Sequence, residues 1–545
     1  MRTTEPLAPE VEATDRSRAG PWIRLTAAVL GLAVIGVAAR MLADFQWDRV
    51  VEYRSPYVFD LPPAPETPRL TDRVILVVVD GLRVDASEGM PTLQRLGAEG
   101  SSLVARTPLP SLSFPGWTNL VSGAPPDVSS VTTNWYEGRV RVDSVLASAR
   151  RAGLTTAVAG GEGWRQLFRG QIDHSFYVPD ARRFADERIG RAALRMLAED
   201  DPDLLIVHLP DVDHRGHESG VDGAYRDAAL GADRAIEALA EAAEEDTAII
   251  VAADHGHIES GGHGGPEEEV VRTPLVLWGD GLVPGAQGAV AQSDIAPTIA
   301  ALLGIGRPAH ATGELRVELL DADDEARAEI ESAHDETLAR FYEAATGALE
   351  ASGSTEAAFE RARQDRHRHD VLARLPIALG VAAVMAIAVA LATRGLDAVA
   401  ILVGSIGFFG TWAGIFLARG LTFSFSHFNT EDQVETFLVA RLLDTLIALG
   451  VASVVAGVVA GRRQRAGGFE TGLGMTAWIL LITGMAVAGF LVVFGWGFVW
   501  GLPSLVAGFA EFLALLAMFG VGVAAWAAGL VSLGTAAVVA PRRAR

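Results

Sequence analysis

A set of carboxylate and imidazole side chains in this 545-residue sequence has the chemistry of a divalent-metal site. Its members follow three apolar runs, RVILVVV, DLLIVHL and TAIIVAA, or lie in a glycine-rich stretch, GGHGG. A mixture of oxygen and imidazole ligands suits zinc or manganese, and the absence of cysteine excludes thiolate ligands. We therefore predict two divalent cations, with zinc favoured and manganese as the alternative. The candidate ligands are Asp80, Asp213, His217, Asp254, His255 and His263.

Each candidate ligand is a weak indicator alone, and the ordered combination carries the prediction. An aspartate after a strand is commonly a helix cap or a turn residue. Among the neighbouring histidines, we predict His208 to be a packed core residue. We predict His214 and His257 to be bystanders or supporting groups around the ligands.

Ser113, in PLPSLSFPGWTNLVSG, is the candidate nucleophile. Pro115 would lie in the first turn of a helix that starts at Ser113, so the hydroxyl would lie at a helix N-terminus that favours an anion such as phosphate. Metal coordination would lower the pKa of this hydroxyl without a histidine base. The alternatives are that Ser113 is only an N-cap residue, or that Ser111 is the nucleophile.

The elements that must position these residues read as alternating strands and helices. Continuous apolar runs predict buried strands at 74–79, 155–160, 203–210, 247–256 and 273–279, and helical patterns fill 91–99 and 225–245. This alternation predicts an α/β domain with a mostly parallel sheet flanked by helices. In such sheets, ligands bind beyond the carboxyl ends of the strands. Three of the predicted strands are followed by candidate metal ligands at this end.

The composition narrows the functional classes. The net charge is −22, and much of the acid lies between Asp72 and Asp370, so we expect no nucleic-acid partner. The apolar residues are concentrated instead in segments long enough to cross a bilayer. These predicted spans are 22–43, 375–393, 396–418, 434–460, 474–498 and 505–540.

The first span is predicted to be a retained anchor, with a cleaved signal peptide as the alternative. Six spans put three basic clusters on one side of the membrane, which we expect to be the cytoplasm. A basic stretch at 361–374 disagrees, but it flanks a large exported domain, where charge is a weak signal. The three clusters are Arg16, Arg18 and Arg24; Arg462, Arg463 and Arg465; and Arg542, Arg543 and Arg545.

The motifs VVVDGLR, SFPGWTNLVSG, PDVDHRGH, ADHGH with GGHGG, and QSDIAPTIAALLGI occur in the order of the alkaline phosphatase superfamily. The sequence resembles its type I phosphodiesterase/nucleotide pyrophosphatase branch and the glycosylphosphatidylinositol ethanolamine-phosphate transferases. The resemblance covers about residues 73–313 and implies a metal-dependent phosphodiesterase or phosphotransferase.

The resemblance also implies roles for individual residues. Ser113 would bridge the two metals and form a phospho-serine intermediate, and Asn134 would contact a phosphate oxygen. The first metal would be held by Asp80, Asp254 and His255 with Ser113, and the second by Asp213, His217 and His263. A sulfatase is not expected, because Ser113 lacks the Pro and Arg pattern that sulfatases require.

These observations predict a multi-pass plasma-membrane protein with an extracytoplasmic catalytic domain, cytoplasmic termini and a lipid or lipid-linked substrate. The enzyme would hydrolyse a phosphodiester or transfer a phosphoethanolamine-type headgroup. The alternative is a transport or scaffold protein with an inactive domain. The predicted units are a cytoplasmic tail (1–21), an anchor (22–43), a linker (44–71), the catalytic domain (72–320), a charged helical connector (321–374), five membrane helices (375–540) and a second tail (541–545).

Three polar side chains within the predicted spans need partners. Arg441 and Asp444 lie three residues apart on one helix face, which favours a structural ion pair over a lipid-headgroup grip. Glu511 is a similar case. The segment 419–433 is expected outside the membrane, near the catalytic domain, where it could help to seat a lipid-linked substrate.

Overall fold

Eight strands form one mixed sheet in the computed structural model, which describes residues 16–179, 184–427, 431–463 and 468–539. Their order across the sheet is β4-β3-β5-β1-β6-β7-β2-β8. The strands are β1 (Arg73–Val79), β2 (Ser101–Arg106), β3 (Thr156–Gly161), β4 (His174–Val178), β5 (Leu204–Leu209), β6 (Thr247–Ala252), β7 (Arg272–Gly279) and β8 (Gln287–Ala291).

The predicted α/β fold with a mostly parallel sheet flanked by helices is confirmed. The strands β4, β3, β5, β1 and β6 are parallel, and β2 pairs parallel with β8. Only β7 runs against its neighbours β6 and β2. The register pairs Val79 of β1 with Leu209 of β5, so these two strands end side by side at one edge.

Three strands, β2, β4 and β8, are not predicted from the sequence. They lie toward the outside of the sheet and are partly exposed, so they lack the long apolar runs of the central strands. The predicted strand at 247–256 is too long, because β6 ends at Ala252 and the following residues form an irregular loop.

The short helices lie on both faces of the sheet. β1 alternates between two cores: Val74, Leu76 and Val78 face one, and Ile75 and Val77 face the other. The helices are α2 (Val84–Ser87), α3 (Pro91–Glu99), α4 (Ser113–Ser122), α5 (Pro126–Ser129), α6 (Val145–Arg151), α7 (Glu162–Leu167), α8 (Asp186–Glu199), α9 (Asp211–Ser219), α10 (Gly223–Ala242), α11 (Glu268–Val271), α12 (Ile295–Leu303) and α13 (Asp324–Ala348).

Six further helices in the described residues are long and apolar enough to cross a membrane. Each contains most of one predicted span, but residues 393, 396–397 and 495–498 of the predicted spans lie outside these helices. Residue 540 and Arg465, Arg542, Arg543 and Arg545 lie outside the described residues. The charged stretch at 361–374 lies in the first half of the helix Glu356–Ala392, and the second half of this helix is the apolar span. The six are α1 (Arg16–Val51), α14 (Glu356–Ala392), α15 (Ala398–Ala418), α16 (Glu431–Arg462), α17 (Gly468–Phe494) and α18 (Leu505–Val539).

Small residues and polar pairs hold this bundle together. α1 and α18 cross where Gly36 meets Gly522, since a Cβ on Gly36 would lie 2.9 Å from the Gly522 Cα. About three turns further along the same two helices, the side-chain amide of Gln46 can donate to the Glu511 carboxylate at 2.9 Å. Glu511 therefore has a partner from another helix.

The predicted Arg441–Asp444 pair is present, with 2.7 Å between Arg441 Nη2 and Asp444 Oδ2. Arg419, at the end of α15, adds a second contact to Asp444 at 2.9 Å. Asp444 thus links two arginines from neighbouring helices, which supports the structural interpretation of these charges.

One end of the bundle is fastened to the α/β domain. Tyr57 donates from its hydroxyl to the Trp500 carbonyl at 2.9 Å, and Arg363 of α14 pairs with Asp127 at 3.0 Å. Ser426, in the loop between α15 and α16, contacts Glu267 of the domain. The segment that follows Arg419 therefore lies beside the domain, as predicted.

Candidate metal centre

The strand ends bring the six predicted ligands together above one edge of the sheet. Asp80 directly follows β1, Asp213 and His217 lie on α9 after β5, and Asp254 and His255 follow β6. His263 joins them from the glycine-rich loop. Three sets have ligand atoms within 4.8 Å of one another, and two of them are the predicted triads: Asp80, Asp254 and His255; and Asp213, His217 and His263. The third set is Asp213, His255 and His257.

The first triad has the spacing of a tetrahedral site. His255 Nε2 lies 3.4 Å from Asp80 Oδ1, 3.6 Å from Asp254 Oδ2 and 3.4 Å from Ser113 Oγ. Metal–ligand bonds of about 2.1 Å place tetrahedral ligands roughly 3.4 Å apart. The three distances from His255 Nε2 are those expected around one small divalent cation.

Two buried oxygens in this triad support the same fit. Asp80 Oδ1 and Asp254 Oδ2 are buried and lack a hydrogen-bond partner within the part of the chain that the structure describes. The other oxygen of each carboxylate is occupied: Asp80 Oδ2 by His208, and Asp254 Oδ1 by the Gly81 and His255 amides. Buried oxygens are costly to leave unpaired, and a cation would satisfy both.

The second triad is similarly close. His217 Nε2 lies 3.3 Å from Asp213 Oδ2 and 3.2 Å from His263 Nε2, and His263 Nε2 lies 3.5 Å from Asp213 Oδ1. The triads are adjacent, since the His255 and His263 rings stack with centroids 3.6 Å apart. The residues present therefore fit a pair of cations.

The Nδ1 contacts of His255 and His263 fix the tautomers of these two candidate ligands. His255 Nδ1 faces the Gly256 carbonyl at 3.2 Å, and His263 Nδ1 faces the Ser111 carbonyl at 3.0 Å. A carbonyl only accepts, so each Nδ1 carries the proton. Each Nε2 then presents its lone pair to the site.

His208 orients Asp80, so its prediction as a packed core residue misses part of its role. Its Nδ1 accepts from the Gly161 amide at 3.2 Å, so its Nε2 is the donor to Asp80 Oδ2 at 2.9 Å. The ring is also packed, 4.4 Å from the Trp117 indole. Histidine within an apolar strand is the sequence signal for such a group, but it does not name the partner.

His257 has the same relationship to Asp213. Its Nδ1 accepts from the Gly262 amide at 2.9 Å, and its Nε2 donates to Asp213 Oδ1 at 2.9 Å. His257 therefore supports a ligand, one of the two roles expected for it. His214 lies 3.9 Å from Asp211 and outside both triads.

Burial sets the charge states of the centre. Burial raises the pKa of Asp80 well above its usual range, with the Asp254 carboxylate acting in the same direction, and burial also raises the pKa of Asp254. Burial lowers the pKa of His263 well below its usual range, so its imidazole is neutral. Carboxylates this close repel each other, and the neighbouring imidazoles are neutral. The charge of a dication would offset the repulsion between the carboxylates.

Asp213 differs from the other two aspartates. Burial alone would raise its pKa, but the neighbouring His217 and His257 hold that pKa well below its usual range. Burial lowers the pKa of His257 to about 4. Asp213 is therefore the anionic centre of the second triad, and His257 is a neutral donor to it.

Ser113 begins α4, as predicted, and lies beside the first triad. Its residue is buried, with only 8% of its surface exposed. Asn134 accepts from the Phe114 amide through Oδ1 at 2.9 Å and directs Nδ2 to 3.5 Å from Ser113 Oγ. The Phe114 amide at the N-terminus of α4 is therefore bonded to Asn134. The NH2 group of Asn134 faces the site instead of this amide.

Ser111 has a different environment from Ser113. It is fully buried, donates from Oγ to the Gly265 carbonyl at 2.8 Å and accepts from the Gly264 amide at 3.1 Å. Both roles of its hydroxyl are used by the glycine-rich loop. Of these two serines, Ser113 is the one whose hydroxyl lies beside the first triad.

Glycine is required where the backbone passes closest to the ligands. Gly81 adopts φ +71°, and a Cβ there would lie 2.8 Å from His257 Nε2. A Cβ on Gly116 would lie 2.8 Å from the Asp254 Cβ. These two positions let α4 and the end of β1 approach the centre.

The predicted resemblance to the type I phosphodiesterase/nucleotide pyrophosphatase branch and to the ethanolamine-phosphate transferases is confirmed. The family model for type I phosphodiesterase/nucleotide pyrophosphatase matches residues 74–144 and 128–273. Both stretches lie in the domain that contains the two triads.

Two curated relatives support the resemblance to the glycosylphosphatidylinositol ethanolamine-phosphate transferases. The chain is 30% identical over 295 residues to the human GPI ethanolamine phosphate transferase 2 catalytic subunit, covering 47% of this chain and 30% of the relative. It is 28% identical over 290 residues to the mouse GPI ethanolamine phosphate transferase 3 catalytic subunit, covering 47% and 26%. The chain thus spans less than a third of the length of these relatives.

Among solved structures, murine ectonucleotide pyrophosphatase/phosphodiesterase 5 matches 46% of this chain and 100% of its own, with 13% identity and a TM-score of 0.39.

Proposed function

We propose that the chain is a membrane-anchored enzyme that breaks or transfers a phosphate ester with two divalent cations and the Ser113 hydroxyl. The observation that carries this proposal is the pair of orphaned oxygens, Asp80 Oδ1 and Asp254 Oδ2, which face His255 Nε2 with Ser113 Oγ alongside. The proposed ligands are Asp80, Asp254, His255 and Ser113 for one cation, and Asp213, His217 and His263 for the other. Zinc is favoured by the ligand set, and manganese is the alternative.

The proposed reaction has two displacements. When bound, the cations lower the pKa of the serine hydroxyl and stabilise developing charge on phosphate oxygens. Ser113 Oγ forms a bond to phosphorus as the bond to the leaving oxygen breaks, and the hydroxyl proton ends on the leaving alcohol. An acceptor alcohol or water then takes the phosphoryl group from the phospho-serine and returns a proton to Ser113.

Asn134 is proposed to hold a phosphate oxygen during these steps. Its Oδ1 is fixed by the Phe114 amide, so its Nδ2 points toward Ser113 Oγ at 3.5 Å. An amide NH2 group held in this direction can donate to an oxygen on the phosphorus that Ser113 attacks.

The substrate is proposed to be a membrane lipid or a lipid-linked molecule. Trp47, near the end of α1, packs edge-on against Trp135, which follows Asn134, with ring centroids 5.5 Å apart. The loop after α15 contacts the glycine-rich loop through Ser426. Membrane elements therefore flank the centre on the Asn134 side and on the His263 side.

Transfer of a phosphoethanolamine-type headgroup is the favoured reaction, because the relatives are named as GPI ethanolamine phosphate transferases. Hydrolysis to water uses the same phospho-serine and is the second candidate. A transport or scaffold protein with an inactive domain is disfavoured, since the complete ligand set is present.

The proposed topology puts both termini in the cytoplasm of a plasma-membrane protein and the catalytic domain outside. The loops after α15 and α17 contact the domain through Ser426 and Trp500. Asp397 precedes α15 and Arg463 lies between α16 and α17, so both residues are at the opposite ends of these helices. Arg463 Nε and Asp397 Oδ2 pair there at 2.8 Å. Basic residues on the side away from the domain support this orientation.

The predicted boundaries are kept in this proposal: anchor 22–43, catalytic domain 72–320, connector 321–374 and membrane bundle 375–540. The positive charge of the connector has local partners, which explains its presence on the outside. Arg363 pairs with Asp127, and Arg374 pairs with Asp370 at 3.3 Å.

The test uses the full chain in detergent with a chromogenic phosphodiester, a phosphomonoester and headgroup-labelled phosphatidylethanolamine. Transfer predicts label on an added alcohol acceptor and little free phosphoethanolamine without one. Continuous release of free phosphoethanolamine without an acceptor contradicts transfer and supports hydrolysis. No turnover of any substrate by metal-loaded protein contradicts the enzymatic proposal.

A further inference from the structure

The glycine-rich loop that carries His263 is held up to Gly262 by hydrogen bonds to its own neighbours, since the Gly262 carbonyl accepts from the Ile258 amide and the Gly262 amide donates to His257 Nδ1, both at 2.9 Å. Gly261, Gly262 and Gly264 have φ values of +82°, +117° and +108°, a region that glycine enters at little cost and leaves as readily. A metal ligand needs a fixed position to bind tightly. His263 itself and the two glycines after it are restrained by contacts with other parts of the molecule.

One restraint comes from Ser111 within the α/β domain. Its carbonyl accepts from His263 Nδ1 at 3.0 Å, and its hydroxyl bonds to the Gly264 amide and the Gly265 carbonyl. Ser111 therefore fixes the ring of His263 and the first half of the following backbone.

A second restraint comes from the membrane bundle. Ser426, in the short 3-10 turn Phe425–His427 between α15 and α16, is fully buried. Its Oγ accepts from the Gly265 amide at 2.9 Å and donates to Glu267 Oε2 at 2.8 Å. The Ser426 hydroxyl thus links Gly265 to Glu267, at the end of the glycine-rich loop. We call these two hydrogen bonds the clamp.

The fit between the two loops is close. A Cβ on Gly265 would lie 2.0 Å from Ser424 Oγ and 2.6 Å from Ser426 Oγ. Only a residue without a side chain allows the membrane loop to approach the glycine-rich loop in this way. The contact is therefore part of how both segments are built.

We propose that Ser426 is a positioning residue for His263, so that the membrane bundle completes the second metal triad of the catalytic domain. This inference rests on the proposed function, because it takes Asp213, His217 and His263 to be metal ligands. The first triad has no residue in the clamped loop. Loss of the clamp should therefore weaken one cation site and leave the other unchanged.

The test is titration of Zn²⁺ into chelator-treated, full-length protein in detergent, measured by calorimetry and by competition with a zinc dye. Wild-type protein should bind two ions. In Ser426→Ala, one affinity should fall by about 10- to 100-fold, the range seen when groups that orient a ligand are removed, while the other stays at the wild-type value.

Matched variants separate the clamp from general effects. Ser405→Ala removes another buried serine hydroxyl of the bundle and should leave both affinities unchanged. Glu267→Ala should reproduce the selective loss, because it removes the acceptor that orients the Ser426 hydroxyl. Glu267→Gln keeps an acceptor oxygen and should retain most of the wild-type affinity.

The outcomes distinguish this inference from the proposal beneath it. Wild-type protein that binds neither Zn²⁺ nor, in a parallel titration, Mn²⁺ overturns the proposed function and this inference together. Wild-type protein that binds two ions, with Ser426→Ala and Glu267→Ala binding both equally well, overturns the positioning role alone.

Discussion

His208 Nε2 lies 2.9 Å from Asp80 Oδ2, and this hydrogen bond turns the other Asp80 oxygen toward Asp254 and His255. Both side chains are almost completely buried. Burial lowers the pKa of His208 to about 3, so the ring is a neutral donor whose single proton is committed to Asp80. A histidine inside a strand thus decides which carboxylate oxygen is offered to the site.

His208→Ala is expected to weaken the cation site at Asp80 by about 10- to 100-fold, because the ligand loses its orienting donor. Zinc titration of the full-length protein measures this directly. His257→Ala is the matched counterpart and should weaken the site at Asp213 instead. Equal losses at both sites in each variant would contradict the assignment of one histidine to each triad.

Ser113→Ala is expected to lower kcat by at least about a thousandfold, since the hydroxyl of Ser111, the other candidate nucleophile, is held by the glycine-rich loop. Both cations should remain bound, because six ligand residues are unchanged. Turnover of a chromogenic phosphodiester and metal content provide the two measurements. Ser354→Ala, at an exposed serine, is the control, and near-normal turnover in Ser113→Ala would rule out the covalent route.

Chelation is expected to destabilise the protein. Without cations, burial and the neighbouring Asp254 carboxylate hold the pKa of Asp80 well above its usual range, so negative charge at this pair is costly, and a ligand present at 100 times its Kd contributes about 2.7 kcal/mol. The Tm in detergent should fall on chelation and recover when Zn²⁺ or Mn²⁺ is added back. An unchanged Tm across chelation and reloading would argue against a resident metal pair.

His334 should make the stability depend on pH away from the metal centre. Burial, followed by the nearby Arg307 guanidinium, lowers its folded-state pKa to about 3, below the unfolded value of about 6.5. The stability it contributes is complete above about pH 6.5 and is lost as the pH falls toward 3, by up to about 1.4 kcal/mol per pH unit.

His334→Gln removes this titration while keeping an acceptor for Arg307, whose Nη1 lies 2.7 Å from His334 Nε2. The Tm of the variant should fall less than that of the wild type between pH 7 and pH 5. Parallel Tm curves for the two proteins would show that His334 does not titrate on unfolding.

The central sheet and the membrane helices could be predicted because their physical signals are local. Continuous apolar runs identify β1, β5 and β6, and long apolar segments identify the six spans. The edge strands β4 and β8 could not be recognised, since half-exposed strands of five residues have no distinctive pattern. Strand direction was also beyond local signals, as the antiparallel β7 demonstrates.

The candidate ligands could be predicted because each follows a strand whose neighbours end at the same edge. The supporting groups could not, because hydrogen bonds such as His208 to Asp80 join positions 128 residues apart. The same holds for the contact of Ser426 with Glu267, 159 residues away, between two parts of the chain that read as independent units. Such partners depend on the packed structure rather than on any motif.

The central claim is that two cations lie above the sheet edge with Ser113 Oγ beside them. An experimental structure of the zinc-loaded protein, with anomalous scattering measured at the zinc edge, tests it most directly. We predict two peaks, one at Asp80, Asp254 and His255 and one at Asp213, His217 and His263, with Ser113 Oγ within bonding distance of at least the first. No peak at either triad, or a Ser113 hydroxyl remote from both, would contradict the account.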